Sequence, residues 1–303
     1  MSETQKLQKL LSAVFDYYAQ NARKSLPWRN LPDTTAGTRD PYKILVSEIM
    51  LQQTQAQRVI PFYERFIKEF PDAPSLANAP LSRVLTLWSG LGYNRRGKYL
   101  HDAVKIMVRD GFAGKLPGVG PYTRAAVEAF AHNKPEVFIE TNIRTVFTHL
   151  CFANKYPGPS SVKLKISRTV LDTKKVSDTD ILPLIEKALA LALKKGIQPR
   201  DFYAALMDYG AHLKQSGVRI NNQSKHYTKQ SKFIGSARQL RGALLRELLK
   251  KPASLAVLSK NAIKSLPKTP ARKSLEIENE LAKLQKEGMV AKKGSIYSIA
   301  HKA

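Results

Sequence analysis

Gly118-Val119-Gly120, inside Leu116-Pro117-Gly118-Val119-Gly120-Pro121-Tyr122-Thr123-Arg124, is the stretch whose residue types point most directly to chemistry. Two glycines let the backbone turn sharply and leave N–H groups uncovered. At the start of a helix such donors have no intrahelical partners and lie at the positive end of the helix dipole, so they bind a phosphate oxygen. Leu116 and Val119 supply the apolar anchors of the turn. A lone Gly-x-Gly is common, so the reading depends on what surrounds it.

The charge of the chain supports it. A net charge of +26 over 303 residues suits a polyanionic partner, because each Lys or Arg that neutralises a phosphate releases a counterion. The charge is unevenly placed: Lys214 to Lys273 holds 15 Lys and Arg and one acid, Glu247. Cys151 is the only cysteine, which excludes an internal disulfide and any all-cysteine metal or iron–sulfur site. Its neighbours Leu150 and Phe152 suit a buried thiol rather than a nucleophile. Met1 to Lys9 is polar, and no stretch approaches the ~20 apolar residues of a membrane span. A cytoplasmic, soluble chain that does not engage a membrane is the expectation.

The elements that must position these residues are helical. Leu7, Leu10, Leu11, Val14, Phe15 and Tyr18 form a stripe at helical spacing. Trp28 to Asp40 reads as a loop, and Pro41 opens a helix carrying Ile44, Leu45, Ile49, Met50 and Leu51. Further helices are predicted over 60–70, 75–78, 80–88, 95–109, 122–132 and 142–150, with two or three between 163 and 212. Lys155 to Ser161 reads as a loop. Residues 217–233 exchange apolar for polar side chains and read as a basic linker. Beyond it, helices over 238–250, 254–261 and 271–287, then a hairpin over 289–299 with a Lys292-Lys293-Gly294 tip, follow the order of a winged helix. Such a domain binds DNA, through a third helix in the major groove, or protein.

Several linked runs carry a resemblance: Pro27-Trp28-Arg29, Arg39-Asp40-Pro41-Tyr42, Ser47-Glu48-Ile49-Met50-Leu51-Gln52-Gln53-Thr54-Gln55, Leu87-Trp88-Ser89-Gly90-Leu91-Gly92-Tyr93, the glycine turn, and Ala205-Leu206-Met207-Asp208-Tyr209-Gly210-Ala211. In these runs the chain resembles the adenine-specific MutY branch of the helix-hairpin-helix DNA glycosylases, relatives of endonuclease III. The resemblance implies an all-α, two-lobed helix-hairpin-helix glycosylase fold over 1–216, with a six-helix lobe at about 41–131 and a second lobe from 1–40 and 132–216. The winged helix would occupy 234–303.

The implied reaction is hydrolysis of an N-glycosidic bond in duplex DNA carrying a mispaired or damaged base, by a monomer. A purine leaves well only when its ring nitrogen is protonated, and the sugar then resembles an oxocarbenium ion. One carboxyl must stay protonated and a second must be ionised. Glu48 matches the family's general acid, and its apolar neighbours would raise its pKa by burial. Glu140 stands where the family has an aspartate; it would stabilise the sugar cation, or serve as a charge at a helix N-terminus. Asn142 matches a residue that orients the attacking water or a sugar phosphate. Tyr122 takes the slot of a Schiff-base lysine, which implies little strand-cleaving lyase activity. Gln52, Gln53, Thr54 and Tyr93 resemble residues that fill the gap left by the flipped base and touch its opposite; for Thr54 and Arg96 a plain polar surface is a serious competitor. Arg29 resembles a strand contact, and Gly118 and Gly120 a phosphate site.

At three points the chain departs from the family's pattern. The family's four iron–sulfur cysteines fall, by spacing, on Lys214, Asn221, Ser224 and Gln230, so no cluster is expected; Lys214, Arg219, Lys225 and Lys229 would contact phosphates instead. The resemblance allows a hydrated cation at the hairpin carbonyls, with no other metal or cofactor. Gly111 to Lys115 is short for the hairpin's first helix, which is expected to be missing or replaced. The Nudix-like C-terminal domain does not appear after residue 234. Adenine opposite 8-oxoguanine or guanine is the favoured substrate; thymine or uracil opposite guanine, an alkylated purine, or a non-catalytic DNA binder on the same scaffold are the alternatives.

Overall fold

The computed structural model describes residues 2–34, 37–152, 175–218, 220, 224–225, 232–266 and 274–300. The predicted loop over 155–161, most of the linker and Arg219 lie outside these residues. Two compact units form, one from Met1–Pro41 with Pro121–Lys229, the other from Tyr42–Gly120 with Gln230–Ala303.

The first unit is built from α1 (Glu3–Asn21), α7 (Pro121–His132), α8 (Thr141–Phe152), α9 (Asp178–Lys194) and α10 (Pro199–Gln215). Ser2 starts α1 with a capping box to Gln5, satisfying orphan N–H groups at its N-terminus. Its stripe Leu7, Leu10, Leu11 and Val14 packs with Ile143, Val146 and Phe147 of α8, Ile185 and Leu189 of α9, and Phe202 and Leu206 of α10. Ala126 and Ala129 of α7 join this core. The unit boundary therefore falls at Gly120 and places α7 here, ahead of the predicted lobe edge near 131.

The second unit contains α2 (Pro41–Leu51), α3 (Ala56–Glu69), α4 (Ala73–Ala77), α5 (Leu81–Trp88) and α6 (Arg95–Asp110). The chain of α2 is apolar on nearly every side: Ile44, Leu45, Val46, Ile49 and Met50 are all buried. A helix of that pattern is surrounded by others. In contrast α3 is amphipathic, burying Val59, Tyr63 and Phe66 on one face. From Gly111 to Gly120 the chain forms no helix, so α6 is the helix that precedes the glycine turn.

The C-terminal part of the same unit runs α11 (Ala237–Lys250), β1 (Ala253–Ser254), α12 (Leu255–Ser265), α13 (Ser274–Lys286), β2 (Val290–Lys293) and β3 (Ile296–Ile299). The antiparallel sheet has the order β1-β3-β2, with Ala253 opposite Tyr297 and Val290 opposite Ile299. The sequence reading missed β1, because two residues show no periodicity. Leu240, Leu244, Leu248, Leu258, Ile277, Leu281 and Tyr297 form a core that also takes in Leu85 of α5. That shared core joins this segment to residues 42–120.

Candidate active site and nucleic-acid groove

Glu48 sits on the buried helix α2 and is 7% exposed. Its sequence neighbours Ile49 and Met50 are buried with it. The end of α2 is pinned by Arg96, whose Nη1 donates to the carbonyls of Ile49 (3.0 Å), Met50 (3.0 Å) and Gln52. Its Nη2 donates to Thr54 Oγ1 (3.2 Å) and to the Gly92 carbonyl (3.2 Å). Burial lowers the Arg96 pKa to about 10, so it stays cationic at neutral pH, where it complements the carbonyl end of α2. One side chain thus fixes both the Gln52–Thr54 loop and the Gly92–Tyr93 turn. The sequence offered no signal that Arg96 is internal.

Gln52, Gln53, Thr54, Tyr93 and Gly118 line one groove of about 1030 Å³ in the second unit. Gln53 and Tyr93 have left-handed backbone, with φ of +55° and +50°. Gly118 has φ +73°, and a Cβ there would lie 2.9 Å from Tyr99 Cβ, so both conformation and space require glycine. Leu116 is buried and its carbonyl accepts from the Val119 N–H at 3.2 Å, closing the turn. Gly120 has open space around it.

In the first unit Glu140 caps α8. Its Oε1 accepts from the backbone N–H groups of Asn142 (2.7 Å) and Ile143 (3.0 Å), and its Oε2 from Asn142 Nδ2 (3.3 Å). The carboxylate therefore occupies the position of an N-cap, a role the shorter aspartate also fills. Lys214 Nζ donates to Asn142 Oδ1 at 2.6 Å. Burial lowers the Lys214 pKa, Glu140 opposes that, and Arg144 adds to it. Asn142 is therefore clamped between Glu140 and Lys214, and α10 reaches it closely because residue 210 is glycine: a Cβ there would lie 2.4 Å from the Asn142 carbonyl oxygen.

The other site candidates take different places. Tyr122 is half-buried, its ring edge-on to Phe138 at 5.7 Å. Arg29, read from sequence as a strand contact, pairs inside the first unit: Nη1 lies 2.7 Å from Asp208 Oδ2, and its side chain is 13% exposed. Arg23 binds the same carboxylate through Nε (2.5 Å) and its backbone N–H (2.9 Å). Sequence reasoning missed Asp208 as the anchor; a single acid in the otherwise apolar Ala205–Gly210 run was the available signal. Lys214, read as a phosphate contact, points to Asn142 instead.

The residues present do not fit an iron–sulfur cluster. Such clusters need thiolates. Lys214 is bound to Asn142, Ser224 is buried beside Val176, and burial raises the thiol of Cys151 to about 11. Among the described residues no group of three or more His, Cys, Asp or Glu is placed to hold a metal ion. No helix among them is long and apolar enough to cross a membrane.

Residues 46–170 match the model of the HhH-GPD superfamily of base excision DNA repair proteins. With the helical fold, that match defines the class: a helix-hairpin-helix base excision repair protein. An adenine DNA glycosylase of Mycolicibacterium smegmatis is 30% identical over 234 residues, covering 74% of this chain and 75% of that protein. One from Buchnera aphidicola (subspecies Baizongia pistaciae) is 37% identical over 156 residues, covering 47% of this chain and 42% of that protein. The chain belongs to the adenine DNA glycosylase family, the MutY-like branch of this superfamily. It spans about half the length, or less, of several curated relatives it matches. A thermostable thymine-DNA glycosylase structure superposes with a TM-score of 0.51 at 25% identity, covering 74% of this chain and 97% of that one.

Proposed function

We propose that the protein is a monofunctional DNA glycosylase of base excision repair that hydrolyses the N-glycosidic bond of adenine mispaired with 8-oxoguanine or guanine. The observation that carries this reading is Glu48: a carboxyl buried on an apolar helix, within the segment that matches the superfamily. Glu48 donates its proton to the purine ring nitrogen, and the glycosidic electron pair leaves with the base. The sugar cation is stabilised by the Glu140 carboxylate, and water adds to the anomeric carbon and loses a proton. Asn142, held by Glu140 and Lys214, orients that water or the adjoining phosphate. Tyr122 offers no amine for a Schiff base, which supports glycosylase action with little lyase activity. Gly118 and Gly120 bind a phosphate beside the flipped nucleotide. The enzyme works on double-stranded DNA as a cytoplasmic monomer without an iron–sulfur cluster. The helix–strand–helix–helix–strand–strand order of residues 237–299 supports the winged-helix reading.

A second reading, a glycosylase for thymine or uracil opposite guanine, is favoured by the likeness to the thymine-DNA glycosylase and by glutamate at position 140. A panel of labelled duplexes, each with one mispair or damaged base, separates the two. Release of adenine opposite 8-oxoguanine or guanine is the expected result. Release of a pyrimidine with adenine untouched would replace the first reading by the second, and an intact panel would leave a DNA binder.

A further inference from the structure

The groove that holds Gln52, Gln53, Thr54 and Tyr93 is walled on its other side by α11, outside the segment that matches the superfamily model. At about 1030 Å³ it stands at the upper limit of the ~300–1,000 Å³ of small-molecule pockets. Its lining contains seven basic side chains against two acidic ones, Glu280 and Glu287. Both acids are engaged by bases: Glu280 by Lys283 (2.7 Å) and Arg241 (3.5 Å), Glu287 by Arg241 and by Arg95 (3.6 Å). The surplus is positive. In its lining the Arg238 guanidinium lies over the Tyr93 ring, 4.9 Å from the centroid, and Nη1 donates to the Tyr93 hydroxyl at 2.5 Å. Among the described residues three non-glycines have left-handed backbone, and two of them, Gln53 and Tyr93, line this groove. Strained backbone persists where the surroundings hold it, here through Arg96.

Cations stacked on an aromatic ring suit an unpaired nucleic-acid strand, with phosphates on the charges and a base against a guanidinium plane; the half-buried Tyr93 ring carries two, Arg238 at 4.9 Å and Arg96 at 5.3 Å from its centroid. Two of the three helices of the C-terminal segment, α11 and α13, differ in the same sense. Arg238, Arg241, Arg246 and Lys250 stand against Glu247 on α11, whereas α13 carries Glu276, Glu278 and Glu280 against Lys283 and Lys286. We propose that this groove is a channel for a short unpaired stretch of one DNA strand, and that α11, rather than α13, is the DNA-facing helix of the C-terminal segment, with Arg238 on Tyr93 as its stacking platform. The inference rests on the reading that the protein acts on DNA, but not on which base it removes.

The test uses the full chain and DNA without any lesion. Affinity is measured by fluorescence anisotropy for a fully paired duplex and for one interrupted by a three-nucleotide single-stranded gap. Arg238→Ala is expected to weaken binding to the gapped duplex about tenfold and to the paired duplex far less. Lys264→Ala, which removes an exposed charge on α12, should affect both about equally and less than about twofold. With wild-type protein, a 4-thiothymine in the gap should photo-crosslink to peptides containing Tyr93 or α11. Equal effects of the two substitutions, or crosslinks confined to α13 and the β2–β3 hairpin, would overturn the proposal. Because no base is excised, either result stands apart from the outcome of the lesion panel.

Discussion

At the scale of single residues, the contact between Lys214 and Asn142 makes the sharpest demand. If Lys214 positions Asn142, Lys214→Met should lower the single-turnover excision rate by about tenfold or more while leaving duplex affinity within about twofold, since small displacements of reacting groups are expensive in rate. Lys214→Arg should restore part of the rate. Equal loss of rate and affinity, with no recovery in the arginine variant, would return Lys214 to a phosphate-binding role. The acids were legible as residues: Glu48 stands out in an apolar run and Glu140 just ahead of a helix. The basic residues were not. Arg29, Arg96 and Lys214 have stems long enough to reach inward, and a sequence does not distinguish a guanidinium on a buried carboxylate from one facing solvent.

Helix α6 provides a test at the scale of elements. His101 is 2% exposed, and its pKa is lowered to about 4, first by burial, then by Lys105, with Lys98 adding and Asp102 opposing. The unfolded chain takes up a proton near pH 6.5 that the folded chain refuses until about pH 4. Stability from this group is therefore full above pH 6.5 and declines as pH falls toward 4, by up to about 3 kcal/mol. Urea melts of wild type and His101→Gln between pH 7 and 4 check this: the slope with pH should flatten in the variant. Parallel curves would remove His101 as the cause. Proline starts, serine caps and 3.6-residue periodicity made most helices readable, among them α2, α6 and α11. Periodicity marks a buried face without naming its partner. The grouping of α7 with α8 and α10, and of α11 with Leu85 of α5, was therefore not readable.

On the scale of the whole molecule, the net charge of +26 divides between structure and surface. Arg23 and Arg29 hold Asp208, Arg144 holds Asp178 through two bonds of 2.7 and 2.8 Å, and Arg200 holds Asp33 at 2.6 Å. Those charges brace the first unit, while the arginines of α11 line a groove in the second. In the proposed reaction this charged scaffold serves a proton transfer from Glu48. The direct measurement is single-turnover adenine release from a duplex with an adenine–8-oxoguanine pair, for wild type and Glu48→Gln, with duplex affinity measured alongside. The substitution keeps size and hydrogen bonding but removes the transferable proton. The rate should fall about 100- to 10,000-fold with affinity unchanged. A Glu48→Gln rate within about threefold of wild type, far short of that range, would remove Glu48 as the proton donor.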